Sequence, residues 1–166
     1  MRRTGLHVQH SKEKIRIKMK YRLTSETKIV SGITLHRIQN IATGEIGGWI
    51  ENESNLSQDG EAWVADEALV AGKARVTGEA LVAGKARVTG EALVAGKARV
   101  TGEARVAGKA LVADEARVSG KARVTGKALV ADRAWVAGKA RVTGEALVAD
   151  EAWVADEARV SGKARV

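Results

Sequence analysis

The sequence predicts an all-β fold: a parallel β-helix, a hexapeptide-repeat solenoid of about six triangular coils, behind a small N-terminal β cap. Three observations predict it. From Gly60 to Val166 one six-residue phrase, Gly/Asp, Glu/Lys/Arg, Ala, Leu/Arg/Trp, Val, Ala/Thr/Ser, runs eighteen times, the last copy lacking its sixth residue. A period of six is far too short for helical repeats of about 20 to 45 residues and matches a β-solenoid. Sorting the fourth residue of each phrase by its position modulo 18 yields three different columns, as three phrases per coil require.

Residues 1–18 form a basic extension. Residues 1–20 carry seven Lys/Arg against one Glu, residues 21–59 three against five, and the repeat eighteen against fourteen, so most of the net charge of +8 lies in the tail. Lys14, Arg16, Lys18 and Lys20 alternate with Ile15, Ile17 and Met19. That period of two fits an amphipathic edge strand running on into Tyr21 and Leu23, or an extension upstream of a start at Met19. A phosphate-contacting arm is the weaker reading, because stacking aromatics and a nucleic-acid-binding motif are both missing.

Residues 19–59 form the cap. Thr34 to Ile38 reads as a strand, Gly44 marks a turn, and Gly47-Gly48-Trp49-Ile50-Glu51 and Asn55-Leu56-Ser57 lead to Gly60 and Trp63-Val64. Trp49 and Leu56 are expected to plug the open first coil, since a solenoid end needs apolar cover.

Residues 60–166 form the helix. Alanine and valine occupy alternate positions of each short strand, as in Ala122 and Val124, and so share the inward side. The residue between them faces out, where leucine, arginine and tryptophan are all accommodated. Glycine or aspartate before each strand suits a corner with positive φ, which explains Asp66, Asp114, Asp132, Asp150 and Asp156 without invoking chemistry. A twelve-residue recurrence, GEALVAGKARVT, between Gly78 and Thr101 records duplication rather than geometry.

The cap passage resembles the phage and bacterial hexapeptide-repeat proteins in which GGW[VI]E…NLS…G…WV leads into G-x-A-x-V-x repeats. The similarity spans about residues 19 to 166. It implies a left-handed helix, a property that periodicity does not carry, and several members bear an acyltransferase label. Such enzymes use a histidine base and a loop projecting from the coils. Here the histidines are His7, His10 and His36, all before the first coil, and no insertion breaks the phrase. No catalytic residues, metal ligands or cofactors are expected. Without cysteine there is no disulfide and no Cys-based metal site, and without a long apolar run or a signal sequence no membrane insertion is expected, which points to the cytoplasm.

The walls therefore carry the functional expectations. One column reads Leu69, Arg87, Arg105, Arg123, Arg141 and Arg159, an arginine ladder suited to a polyanion, with Glu103 and Glu157 as candidate neutralisers. A second reads Arg75, Leu93, Leu111, Leu129, Leu147 and Arg165, an apolar strip suited to self-association. The third reads Trp63, Leu81, Arg99, Arg117, Trp135 and Trp153. The threonines are spread over all walls, which argues against an ice-binding array. The first functional expectation is a non-enzymatic scaffold forming homo-oligomers or end-to-end assemblies through a wall or an open coil end. An acyltransferase-like enzyme is second. A module binding nucleic acid or another polyanion is third.

Overall fold

The structure, a computed structural model, describes residues 18–166 and bears out the parallel β-helix. Strands β1 (Tyr21–Val30), β2 (Ile33–Asn40) and β3 (Ile46–Ile50) are followed by one 3₁₀ turn, Glu53–Asn55. Two-residue strands then recur every six positions, from β4 (Trp63–Val64) to β20 (Arg159–Val160). They stack into three parallel sheets in which each residue faces its equivalent 18 positions away, as Arg105 faces Arg87 and Arg123, and Leu111 faces Leu93 and Leu129. The three columns of the sequence are thus the three walls of a prism. The Lys14 to Ile17 part of the basic alternation lies outside the described residues, while the strand it was expected to enter, β1, forms the edge of the arginine-wall sheet.

Each coil is held from inside and by its neighbours. Ala98, Val100, Ala116 and Val118 are wholly buried, and the same slots repeat this in every coil but the last. Burying one valine contributes on the order of 1.5 kcal/mol, so the stability of this narrow core is a sum of small equal increments. Between coils the outward residue's amide donates to an alanine carbonyl, as Arg105 N does to Ala122 O at 2.9 Å.

Corners explain the glycine and aspartate. The backbone turns there with φ near +70° at glycine, and at +55° to +58° at the five aspartates. Aspartate compensates for its strained backbone with its side chain: Asp132 Oδ2 accepts from Asp150 N at 3.2 Å and Asp66 Oδ2 from Gly84 N at 3.1 Å. Alanine has no such acceptor. A Cβ at Gly126 (φ +72°) would lie 2.9 Å from the backbone N and O of Gly144. Gly126→Ala is therefore expected to lower stability by about 2 kcal/mol and Gly126→Asp by under about 1 kcal/mol, read from denaturant midpoints. Equal losses would show that the carboxylate does not compensate.

The cap continues one wall of the prism. Strands β1 and β2 pair antiparallel through a Ser31-Gly32 turn, β2 pairs antiparallel with β3, and β3 pairs parallel with Leu69-Val70. Ile50 thereby aligns with Val70 and Leu56 with Val76, so two walls of a coil exist upstream of Gly60. Strand β3 is where the hairpin becomes a solenoid. Leu56, Ile50, Ile38 and Tyr21 extend the Ala/Val core and close its end. Trp49 does not plug the coil as expected. It alternates with Ile50, so it points to the outer face, where it is buried with Leu35, Leu69 and Ala71.

Tyr21 couples this end to pH. Its ring is buried and its hydroxyl donates to Leu56 O at 2.7 Å and Glu53 O at 3.1 Å. Burial, with Glu53 adding to it, pushes its pKa from 10.0 up to about 12. A raised folded pKa stabilises fully below the unfolded value and is lost as pH climbs through the folded one. Stability should therefore fall between about pH 10 and 12 in the intact chain. Lys20 pulls the other way, because burial holds its ammonium below the usual lysine range despite Asp59 and Glu61. Comparing intact chain with Tyr21→Phe isolates the tyrosine, and identical alkaline profiles would contradict this assignment.

Candidate functional site

Three surfaces can be built from the outward residues. On the arginine wall the side chains of Arg87, Arg105, Arg123, Arg141 and Arg159 are exposed and in register. Among the described residues none of the five has a carboxylate within 4.0 Å. Glu103 forms no ion pair there, and Glu157 pairs with Lys139 at 3.5 Å, so the expected neutralisation of the ladder is not made.

The N-terminal end of the same wall is covered. Leu69 stands in the arginine column and lies beneath the cap with Leu35 and Trp49. Above Trp49, Lys28 Nζ sits 4.2 Å and the Arg37 guanidinium 4.9 Å from the ring. Glu67, at the corner, accepts from Arg37 at 3.0 Å and from Trp49 Nε1 at 3.2 Å, and lies 3.5 Å from Lys28. The hydrogen bond from Arg37 is the main reason its carboxyl sits below the usual range. Sequence reasoning missed Glu67, because Glu, Lys and Arg interchange at its slot and nothing local marks this one.

On the leucine wall Leu93, Leu111, Leu129 and Leu147 form one column, with Arg75 at one end and Arg165 bridging to Leu147 at the other. Each leucine is half-buried rather than fully exposed; Leu111 and Leu129 stand between leucines, while Leu93 and Leu147 each have a leucine on one side and an arginine on the other. The cap contributes only the Asn55-Leu56 segment to the start of this wall. Its hairpin joins the arginine sheet instead.

The third wall gathers all three repeat tryptophans, but only two touch. Trp135 and Trp153 stack with centroids 5.5 Å apart and planes within 10°, and Trp135 Nε1 donates to Ser119 Oγ at 3.0 Å. Each ring spends one face on the other, and both remain exposed at the surface, Trp153 the more so. Trp63, four coils from Trp135, packs beneath the cap, within reach of Gly47 and Ile38.

His36 sits on β2 opposite Ile50, half-buried, and its ring makes no hydrogen bond among the described residues. His7 and His10 lie outside the described residues. Among the described residues no three His, Cys, Asp or Glu side chains converge as a metal site, and no helix is long and apolar enough to cross a membrane. A furrow along Asp114, Asp132 and Asp150 with Glu115, Arg133 and Glu151 is an open groove at a corner.

The fold and its surfaces define a β-solenoid repeat protein. In comparisons with known proteins, no family model matches the chain and no curated protein matches it.

Proposed function

We propose that this chain is a non-enzymatic scaffold that self-associates through its leucine wall, a second copy being the partner. The observation that carries the reading is the in-register column Leu93 to Leu147 on a wall that the cap hairpin leaves open. A flat apolar strip of this kind gains free energy when a matching strip covers it, up to about 1 to 2 kcal/mol per leucine for the part still exposed. The uninterrupted coils support a structural role over acyl transfer, since no loop leaves them between Trp63 and Val160 to build a cleft, and they contain no histidine to act as base. The capped hexapeptide-repeat proteins remain the family we propose for the chain, on the strength of the GGWIE and NLS passages.

Light scattering tests the reading directly. The intact chain is expected to have the mass of a dimer or larger, and a variant with Leu111→Glu and Leu129→Glu that of a monomer, with its circular dichroism unchanged because both side chains point outward. Equal masses for the two proteins would remove the leucine wall as an interface.

A further inference from the structure

The arginine wall pairs an electrostatic cost with an absence of internal compensation. Five arginines stand in register on strands about 4.8 Å apart, and like charges directly opposite one another in a sheet are unfavourable. Where the cap covers this wall the column holds Leu69 instead of arginine. The charges thus begin where the cover ends.

The edge between this wall and the leucine wall supplies an independent sign of what fits. Its corner residues are all glycine: Gly72, Gly90, Gly108, Gly126, Gly144 and Gly162. At Gly72 the amide already holds an anion, donating to Glu51 Oε2 at 2.6 Å. From Gly90 to Gly144 the equivalent amides have no acceptor among the described residues. The residues that follow these glycines are Lys73, Glu91, Lys109, Lys127, Glu145 and Lys163, so the middle of the edge, at Lys109 and Lys127, is its continuous basic stretch. Asp114, Asp132 and Asp150 line the edge opposite the arginine wall, and the edge that flanks it carries a corner aspartate only at its two ends, Asp66 and Asp156, so the middle of the ladder is the part set farthest from the corner aspartates.

We propose that the arginine wall, from Arg87 to Arg159, binds a linear acidic polysaccharide whose carboxylates repeat at close to the coil spacing. The guanidinium ladder takes successive carboxylates, and the glycine-edge amides take oxygens as Gly72 takes Glu51. A polymer is favoured over a small anion because the charges form a row on a flat wall, where several weak contacts act together. Nucleic acid fits less well. The open part of this wall carries no aromatic side chain on which a base could stack, and the coils project no helix or ribbon to enter a groove.

The experiment measures polygalacturonate binding to the full chain by calorimetry at low and at physiological salt. Binding should weaken steeply with salt, and Arg105→Gln/Arg123→Gln/Arg141→Gln should cost about tenfold or more in affinity. The control Arg99→Gln/Arg117→Gln/Arg133→Gln removes the same charge elsewhere and should change affinity by less than about threefold. Melting curves verify that both variants stay folded. Absence of binding by the intact chain, or equal losses in the two variants, would overturn the proposal, the latter because net charge alone would then suffice. Oligothymidylate binding as tightly as polygalacturonate, with the same arginine dependence, would overturn the assignment of the ligand to a polysaccharide.

Discussion

Asn55→Ala should be the most damaging single truncation in the cap, at about 3 to 4 kcal/mol. Asn55 is wholly buried and satisfies four backbone groups at once. Its Oδ1 accepts from Glu51 N at 3.1 Å and Asn52 N at 2.9 Å, while its Nδ2 donates to Gly72 O at 3.1 Å and Ala74 O at 2.9 Å. A buried polar group left without its partner costs about 1 to 3 kcal/mol, and relaxation toward solvent relieves some of the four. Asn55→Asp should fare no better, since a carboxylate would face the two carbonyls. Amide exchange should rise first at Asn52, since Glu51 N keeps its bond to Val70 O at 3.1 Å, and a loss below about 1 kcal/mol would show that water replaces the side chain.

Gly48→Ala should be comparably harmful, although it restores the residue that the repeat uses in this slot. Strand β3 places Gly48 level with Ala68, so alanine would match every coil that follows. Here, however, an added Cβ would lie 2.6 Å from Ala68 O and 2.8 Å from Val64 Cγ1, contacts that demand movement of backbone as well as side chain. Overpacking typically costs 1 to 3 kcal/mol, and the backbone contact puts the expectation at about 3. Thermal melting of the variant checks it, and an unchanged or raised midpoint would mean that β3 can shift freely.

The repeat was legible because one geometry is written many times. Arg87 to Arg159 and Leu93 to Leu147 sort into columns by arithmetic on residue numbers, and the corner aspartates adopt the positive φ their type suggested. The cap was less legible for a physical reason: its contacts join residues that no period relates. Glu67 meets Arg37 30 positions away and Lys28 39 positions away, and Asn55 reaches Gly72 and Ala74 at 17 and 19. Even so, Trp49-Ile50 and Asn55-Leu56 occupy the outward and inward slots of a coil, a signal hidden because the interval from Leu56 to Val64 is eight positions instead of six. The placement of Trp49 turned on a one-residue alternation that a plug over the coil end overlooked.

The irregular first turn has a consequence for how the chain finds its phase. Every phrase offers the same Ala/Val pair to the interior, so looping out six residues would keep each downstream core slot filled while rotating the prism's faces, mixing leucine with arginine along every column. The interior cannot detect such a frameshift. Ile50 against Val70 and Leu56 against Val76 can, because these pairings lie next to the unique contacts of Asn55 and Gly48 and set the starting angle of the winding. The cap is in this sense the start codon of the solenoid, and without it the same coils could wind in three frames.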